Sequence, residues 1–317
     1  MRERTIFQID IWMLISMSAL ITIGIFFIYS SGVTSTGVLV SSEYIKQIIW
    51  AGTGFALLFF SFYFDLTKIQ GWSGYVFIAG AVLLLITALF GKTVNGAKSW
   101  IGVSSINVGI QPSEFMKIIT ILYLSHFYEK SGSQIQSVIV FMKGLGIILV
   151  PMMLIMLQPD LGTAMVYLPI FFVISYVAGV PKRYLFFILS IGILVSLFTA
   201  LPAWQTYIAK NEILFVRIIT DKHTTNYLLI ACGIILAVAI YGLFGMKRKY
   251  FFWIIYGMAI MVISLLGSYG ARGVLKDYQI KRLIIFMDPT IDPKGAGWHI
   301  VQSLTAIGSG GFGGKGF

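Results

Sequence analysis

The chain has 317 residues, 58% of them apolar and 11% charged, too few polar side chains to cover a water-facing surface, so an ordinary soluble domain is excluded. The net charge of +11 is spread as short Lys and Arg clusters between apolar runs, a pattern of membrane orientation signals and not of a nucleic-acid face. A single cysteine, Cys232, excludes an internal disulfide, and His126, His223 and His299 have no metal-ligand spacing.

Apolar stretches fall near residues 11–31, 45–64, 72–90, 113–128, 138–157, 161–180, 184–202, 226–244 and 251–269. About 20 apolar residues cross the hydrocarbon, so the sequence predicts an all-α polytopic integral membrane protein with about nine transmembrane helices. Arg2 and Arg4 precede the first stretch and no small-residue cleavage site follows it, so it reads as an anchor and not a removable signal. With a cytoplasmic N-terminus, alternate loops hold Arg2/Arg4, Lys68, Lys130/Lys143, Lys182/Arg183 and Lys247/Arg248/Lys249, which is the positive-inside bias. Residues 32–44, 91–112, 158–163, 203–225 and everything after about 270 are then extracytoplasmic.

The stretch "IQPSEFMKI" (110–118) opens an apolar span with charge. Pro112 suits a first helical turn, Glu114 is favoured there by the helix dipole, and Lys117 lies one turn on, on the same face. An unpaired cation at membrane depth costs roughly 2.5–3.5 kcal/mol, so a Glu114–Lys117 pair is expected, serving either as a structural brace or as part of a site. "LQPDLGTAM" (157–165) repeats the arrangement with Gln158, Pro159 and Asp160, where Asp160 has the alternative of merely starting a helix. Convergence of Gln111, Glu114, Lys117, Gln158 and Asp160 around one outward-facing cavity would explain both stretches.

Beyond about residue 271 the chain reads as an extracytoplasmic loop. Asp288-Pro289 and Asp292-Pro293 with Gly295 and Gly297 predict a rigid irregular segment over 288–297. Trp298, Val301, Leu304 and Ile307 then predict a short amphipathic helix suited to a membrane interface. Gly308–Gly313 matches G-x-G-x-x-G by letter, but no strand precedes it and Lys315 is followed by Gly316, so a nucleotide-binding loop is not supported.

"QPSEFMK", "QPDLGTA" and "YQIKRLIIFMDPTIDPKGAGWHIVQSLTAIGSGG" together resemble the SEDS family of shape, elongation, division and sporulation proteins, and "GAGWHIVQS" with "GGKGF" is closer to the RodA branch than to the FtsW branch. The resemblance implies a peptidoglycan glycosyltransferase of the bacterial cytoplasmic membrane that polymerises lipid II during cell elongation and rod-shape maintenance. It further implies a class B penicillin-binding transpeptidase and other elongation-complex membrane proteins as partners, in contact with membrane lipid. By resemblance, Glu114 and Lys117 belong to the floor of the substrate cavity, Asp160 to its wall, and Lys281 and Arg282 to diphosphate contact. The alternative for the last two is anchoring to anionic lipid.

Two departures accompany the resemblance. Residues 203–270 read as an insertion of two further spans within a transmembrane domain of residues 1–270. The family also continues past the "GKG" turn to an aspartate that carries its catalysis, which places the catalytic residue beyond Phe317 and leads to the expectation that this chain by itself is inactive. Glycosyl transfer needs a base for the acceptor hydroxyl and positive charge on the departing diphosphate, which Lys or Arg, or a divalent Mg or Mn ion, supplies. The other readings are a lipid II transporter, or flippase, and a non-catalytic scaffold for the transpeptidase.

Overall fold

In a computed structural model the described residues are 10–34, 37–63, 66–94, 97–103, 108–209, 211, 213–274, 285, 288–295, 297–312 and 314. The chain divides into two compact units between Trp72 and Ser73.

The first unit pairs α1 (Ile11–Ser31) with α2 (Glu43–Ser61). Asp10 caps α1, its carboxylate accepting the N–H groups of Trp12 and Met13 at 3.0 and 3.2 Å, which satisfies two of the donors a helix start leaves open. The rings of Tyr29 and Tyr44 meet edge to face, 5.2 Å apart, beside the connection.

The second unit takes in the rest of α3 (Leu66–Phe90), α4 (Pro112–Ser131), α5 (Val138–Met156), α6 (Leu161–Met165), α7 (Tyr167–Val177), α8 (Lys182–Trp204), α9 (Leu214–Thr220), α10 (Lys222–Phe244), α11 (Phe251–Val274) and α12 (Trp298–Gly310). Every apolar stretch expected to span is helical. Among the described residues, six helices are long and apolar enough to cross a membrane: Ile11–Ser31, Lys68–Phe90, Val138–Met156, Lys182–Ala209, His223–Phe244 and Phe251–Gly273. The difference from nine has a chemical reason. Helices α2 and α4 carry Glu43 and Lys46, and Glu114, Lys117, Glu129 and Lys130. The stretch 161–180 is divided into α6 and α7, because Pro169 has no N–H to give the carbonyl of Met165, where α6 ends.

The all-α class holds, and the segment 91–112, expected outside the membrane, adds a small three-stranded antiparallel sheet: β1 (Lys92–Val94), β2 (Ala97–Val103) and β3 (Val108–Ile110). Val94 pairs with Ala97 and Ile101 with Ile110. A Cβ on Gly109 would lie 2.9 Å from the Trp100 ring, so glycine is needed where that ring crosses the sheet.

Two cores form in this unit. The larger joins α3, α4, α5, α6 and α7 through Leu84, Met116, Leu124, Ile148, Ile155, Tyr167 and Phe171, all 1% exposed or less. Its helices meet closely at small residues: a side chain on Gly144 would collide with the Tyr128 hydroxyl, which reaches across to Ser175 at 2.9 Å. The smaller core is Phe198, Ile219 and Leu265, between α8, α9 and α11.

Candidate functional site

The site begins where β3 runs straight into α4. Gln111 stands at the N-cap and Pro112 in the first turn, where its missing N–H is no loss. One turn on, the Lys117 ammonium donates to both Glu114 carboxylate oxygens, at 2.9 and 2.8 Å. Lys117 is the deeper partner, its side chain 21% exposed against 53% for Glu114.

Asp160 caps α6, accepting the Thr163 N–H at 3.1 Å and the Thr163 hydroxyl at 2.9 Å. The Gln111 amide donates to the same carboxylate at 3.0 Å, across 49 residues. This one bond brings the two Gln-Pro stretches together. Two further contacts support it: the Tyr167 hydroxyl reaches the Ser113 carbonyl at 3.4 Å, and the Lys98 N–H of β2 donates to the Gln158 carbonyl at 3.1 Å.

The five expected cavity residues are therefore placed in three ways. Gln111 and Asp160 touch. Glu114 and Lys117 form their pair on the adjoining turn of α4. The Gln158 side chain turns away from both, fully buried, and donates to the Leu84 carbonyl of α3 at 2.9 Å, while its side-chain oxygen Oε1 has no partner among the described residues. Buried amide groups are costly to leave unpaired, so Gln158 acts as a bolt between helices more than as a wall facing a substrate. Lys281 and Arg282 lie outside the described residues.

Among the described residues, Asp288 and Asp292 on this side are engaged as well. Asp288 accepts the N–H and hydroxyl of Thr290, at 3.0 and 2.6 Å, and these bonds hold its carboxyl below the ordinary carboxylate range. Asp292 accepts the Gly295 N–H at 3.0 Å. A Cβ on Gly297 would overlap the Asp292 backbone, so the expected rigid turn over 288–297 is built from glycine and capping carboxylates. It leads into α12, whose Trp298, Leu304 and Ile307 are exposed along the amphipathic helix. Among the described residues no group of three His, Cys, Asp or Glu side chains could hold a metal ion.

The sheet was missed from sequence, although Asn95-Gly96 between β1 and β2 is the strongest short hairpin signal there is. Tyr167 and Ser113 were also missed; a tyrosine inside an apolar run carries no pattern that reveals its hydroxyl's partner.

The family model described as cell cycle protein, covering FtsW, RodA and SpoVE, matches residues 11–230 and 213–317. Over its whole length the chain is 44% identical to the peptidoglycan glycosyltransferase RodA of Treponema pallidum, of which it spans 72%. It is 27% identical to the stage V sporulation protein E of Bacillus subtilis, with 97% of this chain and 65% of that protein aligned. Among solved structures, one chain of a peptidoglycan synthase complex that coordinates polymerization and crosslinking matches with a TM-score of 0.53 at 22% identity, over 98% of this chain and 67% of that one.

Proposed function

The chain belongs to the FtsW/RodA/SpoVE family of cell cycle proteins, and on that premise we propose that it is a peptidoglycan glycosyltransferase that polymerises lipid II during cell elongation and rod-shape maintenance. The observation that carries the reading furthest is the Gln111–Asp160 hydrogen bond, which closes the two Gln-Pro stretches on each other beside the Glu114–Lys117 pair. It is a preorganised polar platform at the ends of membrane-embedded helices, the depth at which the sugar and diphosphate of a lipid-linked donor would lie.

In this reading the acceptor sugar's 4-hydroxyl attacks the donor's anomeric carbon, its proton passes to a base, and the bond to the lipid diphosphate breaks. Lys117 contributes positive potential from below, with Glu114 fixing its position. Lys281 and Arg282 meet the diphosphate. The base comes from outside the described residues, because Glu114, Asp160, Asp288 and Asp292 each already serve a cap, a turn or an ion pair. A divalent Mg or Mn ion would enter with the diphosphate and supply further positive charge.

The protein sits in the cytoplasmic membrane with its N-terminus inside, as the loop cations favour. A class B penicillin-binding transpeptidase is its partner, with other elongation-complex proteins around it; the likeness to a chain of a peptidoglycan synthase complex supports this.

The chain joined to the family's continuation past the "GKG" turn, reconstituted in bilayers with lipid II and scored for glycan strands and separately for lipid crossing, tests the proposal. Strand formation that falls at least about tenfold when Gln111→Leu and Asp160→Ala are combined is the expected result. Lipid crossing without strands would replace this reading with a transporter. Undiminished activity of the double variant would remove the platform from the mechanism.

A further inference from the structure

The outer end of α8 is irregular for a traceable reason. Pro202 has no N–H, which leaves the Phe198 carbonyl one turn back without its helical donor, and the Arg272 guanidinium of α11 donates to it instead. Directly after, Gln205–Ala209 forms a π-helical turn, a rare form concentrated at functional sites.

Between this turn and α9 lies a cavity of about 470 Å³, within the usual range for small-ligand sites. Pro202 and Val216 are its apolar lining; Gln205, Thr206, Arg217, Thr220 and Asp221 are its polar one. The Gln205 side-chain oxygen is buried without a partner among the described residues. The Arg217 guanidinium is exposed and makes no hydrogen bond or ion pair with the described residues. Thr206 and Thr220 donate to the Pro202 and Val216 carbonyls at 3.0 and 2.7 Å, so each hydroxyl oxygen is left as an acceptor. Asp221 is held by Thr224 at the start of α10.

The cavity thus offers one planar cationic fork, a buried acceptor in need of a donor with two hydroxyl acceptors beside it, and a fixed carboxylate at its edge. A phosphate suits the fork and hydroxyls suit the acceptors. Asp221 disfavours a ligand with several negative charges. Connectivity puts the end of α8 and the start of α10 on the same side, so the site sits where spanning helices leave the membrane. We infer that this cavity binds a singly charged phosphodiester of a polyol, the chemistry of a glycerol phospholipid headgroup or of its soluble counterpart. The inference does not depend on the polymerase reading, because none of these residues belongs to the Gln111–Asp160 platform.

The test uses the chain in phosphatidylcholine nanodiscs with phosphatidylglycerol titrated in, and native mass spectrometry of the retained lipid. Phosphatidylcholine has the phosphodiester and no hydroxyl, so retained phosphatidylglycerol should exceed it. Arg217→Gln should lower that retention about tenfold and Gln205→Leu about threefold, whereas Arg248→Gln, in the turn between α10 and α11, should leave it unchanged. Arg217→Lys, which keeps the charge and loses the fork, should fall between. Displacement by soluble glycerophosphoglycerol would show that the headgroup alone is recognised; continued phosphatidylglycerol retention without displacement would assign the site to bilayer lipid. Equal retention of the two lipids by the unmodified chain, or full retention by Arg217→Gln with an unaltered far-ultraviolet spectrum, would overturn the inference.

Discussion

The helices α3 to α7 and the helices α8 to α11 lie in one compact unit and are held together by different means. The first group contains the divided pair α6 and α7 and is polar at its joints, and bonds between distant residues cross it: Gln111 to Asp160, Gln158 to Leu84, Tyr128 to Ser175. The second is built on three long apolar helices with a core of Phe198, Ile219 and Leu265, crossed by the bonds from Arg272 to Phe198 and from Tyr256 to Arg183. Lipid is as apolar as leucine, so apolar faces gain little by finding each other, and close packing with hydrogen bonds must specify the arrangement. The group that carries the two Gln-Pro stretches is therefore the more tightly specified.

The sharpest way to break this contrast is at Gly144. Gly144→Ala should cost about 1–3 kcal/mol in unfolding from bicelles, because the new methyl overlaps the Tyr128 hydroxyl. Tyr128→Phe in the same chain should recover part of the loss. An equal cost for Gly233→Ala in α10, where nothing lies within 4 Å of the added Cβ, would erase the distinction between the two groups.

Next in size is the ion pair. Lys117 is the deeper partner, so Glu114→Ala, which strands it, should destabilise by roughly 2 kcal/mol and by more than Lys117→Ala. Replacing both with Gln and Met should cost less than Glu114→Ala alone. Equal losses in all three variants would mean the charge is not stranded at depth.

In the second group the corresponding test is a double-mutant cycle. Arg272→Met leaves the Phe198 carbonyl without a donor, and Pro202→Ala returns the helical one. The combined variant should therefore be about 0.5–1.5 kcal/mol more stable than the sum of the single effects. Additivity would show that Arg272 does not answer for Pro202.

The smallest effect is acid sensitivity at the start of α10. The Thr224 N–H is the main cause that lowers the Asp221 pKa. A lowered folded value means the cap is complete above the ordinary carboxylate value of about 3.9 and is lost as pH falls through the lower folded one. Protection of the Thr224 amide relative to its intrinsic exchange rate at each pH should fall on acidification through that window, and Asp221→Asn should flatten the response. Protection that stays constant down to pH 2 would count against the cap.

What could be read from the sequence follows the same division. Helices were legible because each is a long apolar run, and the Glu114–Lys117 pair because three residues bring side chains onto one helix face. The cap role of Asp160 was legible as an alternative, since Asp before an apolar run has few other uses. Bonds between elements were not legible: nothing local to Gln111 names Asp160 as its partner, and nothing local to Gln158 points to Leu84. The sheet was hidden because its strands are short and rich in Gly, Lys and Ser. Arg272 left a trace that could have been followed, since a cation in an apolar helix and a proline in a neighbouring one each need a partner.

The Gln158 bolt also sets a clock. Its amide meets a carbonyl made 74 residues earlier, so at about 5–20 residues per second the ribosome needs roughly 4 to 15 s to deliver it. Throughout that interval α3 and α4 are in or near the bilayer without the element that fastens them, with Thr87 and Thr120, buried in the finished fold, still facing lipid or the insertion machinery. Biogenesis of this protein therefore has a defined vulnerable window, which opens when α3 emerges and shuts when α6 arrives.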